Sequence, residues 1–264
     1  MTAAVQPPYT TQLQAGLGLV EETRTLLDLW VPGMAAPGLC QAALHSGQFP
    51  GVTARRLRNI VVECFAPRYL VDEGRPAVLL KRLHRSLDLA SLQQLMLVYT
   101  CRANPILADF IRTVYWPAYA AGAAIVDNEG ARRFVERAID DGRTARRWSP
   151  TTLRRVAAYL TGCCADFGLL EGGARTRRRI QRIRLSPHVV SLLAHDLHFH
   201  GVGDNALLGH SDWALFGLDR QDVLEEFRRL SLRNAWIVQA AGDTASIGWL
   251  HKTMESVCDV VAQS

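Results

Sequence analysis

Apolar residues recur at helical spacing along nearly the whole chain, in segments of roughly 10–18 residues that each carry their own start and stop signals. Gly16 to Trp30 sets Leu19, Val20, Leu26, Leu27 and Trp30 mostly on one side, and Pro32-Gly33 ends it. Ala35 to Leu44 is a short helix, after which Thr53 caps a longer one with Leu57, Ile60, Val61 and Phe65 at core spacing. Pro76 to His84, Asp88 to Cys101, Pro105 to Ala118 and Asn128 to Ile139 continue the pattern, with Asp88 and Asp127 or Asn128 as caps. Ser149-Pro150 opens the next helix by cap and first-turn proline, and Leu153, Val156, Ala157, Leu160 and Cys164 form its apolar face. Ser186-Pro187 repeats the device for a helix to about His198. A chain built this way is mainly α.

Two places break the helical period. After Phe167-Gly168-Leu169-Leu170, the glycines of Glu171-Gly172-Gly173 suit a hairpin turn. In the following RRRIQRIRL, Ile183 and Leu185 alternate with Arg182 and Arg184 while Ile180 is out of phase, so a short strand and a short helix both fit. Further on, Asp212 to Leu218 is a short helix and Asp219 caps another. Ala235 to Ala240 and Ala245 to Leu250 then flank the turn at Gly242-Asp243, and an amphipathic helix from Lys252 to Val261 closes the chain. The sequence thus predicts a compact helical protein with helix-turn-helix and winged-helix-like units and short β-hairpin wings. A boundary at Asp141-Gly142 divides it into an N-terminal helical domain, 1–141, and a C-terminal winged-helix-like region, 142–264. The second hairpin is apolar and neutral, which suits packing or pairing with another surface.

Charge is concentrated at the first of these breaks. From Arg143 to Arg184 there are eleven arginines against two acids, Asp166 and Glu171, in a chain whose total is only +5. Like charges repel, and a stable fold gains nothing from concentrating them, so the cluster points to a polyanionic partner. Guanidinium suits bidentate contact with phosphates and with guanine edges. The candidate DNA-contacting residues are Arg143, Arg146, Arg147, Thr151, Thr152, Arg154, Arg155, Arg175, Arg177, Arg178, Arg179, Arg182 and Arg184. The start of the Ser149 helix would enter the major groove and the arginine ribbon would lie along the backbone or in a minor groove. Thr53, Arg55, Arg56 and Arg58 form a secondary candidate surface in a helix-turn-helix-like segment.

Other chemistry is not indicated. The chain lacks a glycine-rich phosphate loop, H-E-x-x-H and G-x-S-x-G, and no cofactor is called for. Its acidic pairs, such as Asp140-Asp141 and Glu225-Glu226, read as solvated helix positions. His195, His198 and His200 end a helix, where the dipole favours them, without a completing Cys or Glu for a metal. The six cysteines fall mostly in apolar helical stretches and read as buried, unbridged hydrophobes. The longest apolar run, Pro117 to Val126, is too short to span a bilayer and reads as a buried helix. With no export signal, the expected location is the cytoplasm.

Several motifs, in order along nearly the whole chain, resemble the BrxA family of bacteriophage exclusion (BREX) defence systems. They are Tyr9-Thr10-Thr11 with GLGLVEETRTLL, Leu107-Ala108-Asp109-Phe110, Trp148-Ser149-Pro150-Thr151-Thr152-Leu153, Phe167-Gly168-Leu169-Leu170, Leu185-Ser186-Pro187-His188-Val189-Val190, Trp213 to Leu218 and Gly248-Trp249-Leu250. The resemblance implies a helical, non-enzymatic DNA-binding protein that acts beside other defence-system proteins, and it carries over no catalytic residue. The combined expectation is a non-catalytic component that binds double-stranded DNA. A protein–protein adaptor with a basic patch and an RNA-binding helical protein are the rival readings.

Overall fold

The computed structural model describes residues 8–12, 17–173, 176–232, 235–242 and 244–263, and these are mainly helical with two small antiparallel sheets. They fall into two units, Met1–Val78 with Met96–Arg182, and Leu79–Leu95 with Ile183–Ser264. The Asp141-Gly142 turn lies within the first unit.

In the first unit, α1 (Val20–Leu29), α2 (Ala36–His45), α3 (Ala54–Asn59) and α4 (Ala66–Tyr69) bury Leu26, Leu27, Leu39, Leu57 and Tyr69. Trp30, also buried, donates its indole N–H to the Met34 carbonyl at 2.9 Å. Thr53 caps α3 as its position predicts, accepting the Arg56 amide at 3.2 Å. The helix that follows is not uniform: Ile60–Phe65 is wound as a π-helix before α4. After α5 (Arg75–Leu83) and α6 (Leu89–Ala103), the same thing happens between α7 (Pro105–Phe110) and α8 (Trp116–Ala120), where Ile111–Tyr115 is π-helical. Both π segments end two residues before a proline, Pro67 and Pro117. Proline has no N–H to offer the carbonyl four residues back. Just before each proline the register is wider, with Ala66 N–H bonded to the Val61 carbonyl and Trp116 N–H to that of Ile111, five residues back.

The run from Pro117 to Val126 is not a buried helix. α8 has no buried residue and stops at Ala120, Gly122 takes φ +72°, and Ile125–Asp127 forms β1. A glycine at positive φ ends the helix at little cost, which an apolar-run reading does not weigh. Next come α9 (Asn128–Asp140), capped by Asp127 accepting the Gly130 amide, α10 (Pro150–Asp166) and β2 (Arg177–Arg179).

In the second unit, α11 (Pro187–Phe199) and α12 (Asp204–Leu208) precede a single 3₁₀ turn at Trp213–Phe216, where the sequence pattern suggested a helix from Asp212 to Leu218. Then follow α13 (Arg220–Ser231), β3 (Trp236–Ala241), β4 (Thr244–Trp249) and α14 (Met254–Gln263). Asp219 caps α13 through a capping box with Asp222. Trp236, fully buried, stacks on Phe227 at 4.4 Å and donates its indole N–H to the Phe227 carbonyl. His195 is buried among Trp236, Trp249 and His251, its Nδ1 2.8 Å from the Ser191 carbonyl.

Candidate nucleic-acid interface

Most of the arginine-rich stretch is carried by α10 and the segments on either side of it. Ser149 Oγ accepts the Thr152 amide at 3.2 Å and Pro150 occupies the first turn, so α10 starts where its sequence places it. Leu153, Val156, Ala157, Leu160 and Cys164 are buried, and α10 packs along α9. Thr161 ties the pair, its hydroxyl donating to Asn128 Oδ1 at 2.6 Å. The opposite side of the first two turns leaves Thr151, Arg154 and Arg155 exposed, with Thr152 half-buried against Ser149.

Of the described part of the arginine ribbon, Arg177–Arg179 form a strand, while residues 181–186, where Arg182 and Arg184 alternate with Ile183 and Leu185, form neither strand nor helix. β2 pairs antiparallel with β1, with Ile125 opposite Arg179 and Asp127 opposite Arg177. Its other side meets the segment after α10: Leu170 bridges Ile180, Glu171 N–H bonds the Arg179 carbonyl at 2.8 Å, and Gln181 N–H bonds that of Leu169 at 2.9 Å. β2 is therefore central between a strand far upstream and the chain just before the glycine turn. Strand alternation splits its arginines. Arg177 and Arg179 are exposed, while Arg178 is half-buried and donates to the Glu171 carbonyl at 3.0 Å.

The remaining arginines are not equivalent. Arg146 and Arg147 are exposed on the α9–α10 connection, and Arg147 pairs with Asp140 at 3.6 Å, a solvated contact of little energy. Arg182 is exposed just after the strand; Arg184 is exposed too, and belongs to the second unit. Arg175 lies outside the described residues. Arg55, Arg56 and Arg58 are exposed on α3, where the Thr53 hydroxyl is occupied in capping. Arg143 is different: it pairs with Asp109 at 3.0 Å and lies 4.5 Å from the centre of the buried Tyr9 ring. The Tyr9 hydroxyl donates to the same carboxylate, and burial followed by that carboxylate holds the hydroxyl well above its ordinary range.

Sequence reasoning missed the carboxylates beside this surface. A groove of ≈ 800 Å³ between α9 and the start of α10 is lined by Glu129, Glu136 and Asp140 as well as Arg132, Arg147 and Arg154. Arg132 bonds both Glu129 and Glu136, so α9 carries an internal ion-pair ladder rather than free acids. Asp166, counted among the two acids of the arginine stretch, has a structural role that its sequence position did not announce: it accepts the Gly18 amide at 2.8 Å. Burial raises the Asp166 carboxyl above its usual range. All six cysteines are free and buried as expected, and burial pushes the Cys163 thiol up to about 12. Among the described residues no group of His, Cys, Asp or Glu is arranged to hold a metal ion, and no helix is long and apolar enough to cross a membrane.

An uncharacterized protein from Magnetospirillum magneticum, known by its crystal structure, shares this fold at a TM-score of 0.56 and 17% identity, over 74% of this chain and 96% of that one. No protein of curated function matches the sequence. Residues 7–196 match the BrxA family, a span that takes in the Tyr9–Asp109–Arg143 contact, α9, α10 and the arginine strand. The chain belongs to the BrxA family and is thus a component of BREX phage defence.

Proposed function

We propose that this chain binds double-stranded DNA without cutting it, through the start of α10 and the arginine strand, as a cytoplasmic component of the defence system. The order β1, α9, α10, residues 169–171, glycine turn, β2 resembles that of a winged helix and supports a reading in which α10 enters the major groove and β2 lies along the backbone. The observation that carries the reading is the sorting of the arginines: Arg154 and Arg155 lie on the free side of the capped helix, and Arg177 and Arg179 on the free side of the strand. Guanidinium groups suit bidentate contact with phosphate, and these four are left exposed, while Arg143 and Arg178 are committed within the protein. The absence of nuclease, hydrolase and phosphate-loop motifs supports a holding role.

The test is fluorescence anisotropy with duplex DNA, duplex RNA and heparin competitor over a salt series. Duplex DNA is expected to bind with a log-log salt slope near −5 if about six phosphates are contacted. Binding of RNA in preference to DNA would replace this reading with RNA recognition. Binding to neither at low salt would leave the basic patch to an acidic protein partner.

A further inference from the structure

We propose that the free edge of β3 joins two copies of this chain, antiparallel, into a continuous four-stranded sheet. The two edges of the β3–β4 hairpin are treated in opposite ways. In the register, Ala240 faces Ala245 and Val238 faces Ile247. The amides of Ala245 and Ile247 point away from β3, to the side chains of Asn205 at 2.9 Å and Asp204 at 2.8 Å. That edge is closed by two α12 side chains standing where another strand would lie. In an antiparallel pair both members of such a position turn their polar groups outward. The N–H and C=O groups of Val238 and Ala240 therefore point out of the β3 edge, and no described residue bonds those amides.

Edges of this kind are normally blunted by charge, proline or a bulge. β3 reads WIVQAA and β4 TASIGW, without a charge or a proline, and the ladder runs unbroken from Trp236↔Trp249 to Ala241↔Thr244. Beside the edge, Ile237 is 58% exposed over Gly248. The second copy is the occupant that this chemistry fits. A strand edge is self-complementary about a two-fold axis, so Val238 would exchange both backbone bonds with its own counterpart. The strand itself carries no charge, so two β3 edges that pair set no like charges opposite each other along the ladder. A charged peptide from another protein would find no counter-charge on the strand.

An edge contact of six residues buries less than the ~1,200–2,000 Å² of a stable complex, so the dimer is weak. Sedimentation velocity of the full chain from about 5 to about 500 µM, the range suited to so small a contact, should show the sedimentation coefficient rising from monomer towards dimer. Ile237→Lys, on an exposed side chain that the fold does not need, should abolish the rise. Amide hydrogen exchange of the unmodified chain should slow at Val238 and Ala240 by at least about tenfold with concentration, with Gln239 unchanged because β4 already holds it. A monomer throughout, a dimer that survives Ile237→Lys, or concentration-dependent protection confined to other residues would each overturn the proposal. None of these outcomes bears on DNA binding.

Discussion

The Tyr9 hydroxyl reaches Asp109 Oδ2 at 2.6 Å across a hundred residues of chain, and the same oxygen receives Arg143 at 3.0 Å. Tyr9 N–H also bonds the Arg143 carbonyl at 2.7 Å, so backbone and side chain together pin the start of the described chain to the turn after α9. Charge-assisted bonds to one carboxylate and a guanidinium over a ring make this a structural latch, and Arg143 is spent on it.

Tyr9→Phe should lower stability by about 1.5–3 kcal/mol, the worth of one bond to a charged group, as read from urea denaturation. Tyr9→Ala should cost more, about 3–5 kcal/mol, because a buried ring and its cation contact go too. DNA affinity of the folded Tyr9→Phe variant should be unchanged. A weakening beyond about threefold would return Arg143 to the binding surface.

Gly18 passes against α10, where a Cβ would stand 2.5 Å from Asp166 Cβ and displace the amide from the carboxylate that caps it. The obstructing atom is a Cβ fixed to the backbone of α10, so it has little room to move. Gly18→Ala should therefore cost about 1–3 kcal/mol by overpacking. Equal stability of this variant in urea would show that the strap shifts freely over α10.

Helix order, the caps at Thr53, Ser149 and Asp219 and the buried cysteines were legible because each follows from local period or cap chemistry. The latch was not. Tyr9, Asp109 and Arg143 are single residues joined only by the tertiary fold, and no spacing rule links them. Arginine counting found the basic stretch, but its division into exposed and committed groups had to wait for β1. Nothing near Arg177 in sequence announces Asp127 as its partner across the strands. The π segments were hidden because periodicity carries straight through them and only Pro67 and Pro117 hint at the change.

His195 is buried with no partner for its Nε2 among the described residues, and burial lowers its pKa from 6.5 to about 4. The folded protein keeps this ring neutral where the unfolded chain would protonate it. Its contribution is therefore intact above pH 6.5 and is lost as pH falls from there to about 4, by up to about 3 kcal/mol. Urea midpoints measured from pH 7 to pH 4 should fall accordingly, and His195→Gln should flatten that part of the profile. A profile equally steep in the variant would assign the loss to other groups.

Strand β2 offers the sharpest separation of binding from structure. Arg177 and Arg179 are exposed, and Arg178 between them is turned to the Glu171 carbonyl. If phosphates are held by the exposed pair, the double variant Arg177→Ala with Arg179→Ala should weaken duplex binding several-fold and reduce the magnitude of the salt slope by about 2. Arg178→Ala should leave that slope alone and cost about 1 kcal/mol of stability, the worth of its internal bond. A triple loss shared evenly among the three would mean that the strand turns over on DNA. An unchanged slope in all of them would move the interface to α3, where Arg55, Arg56 and Arg58 stand exposed after the Thr53 cap.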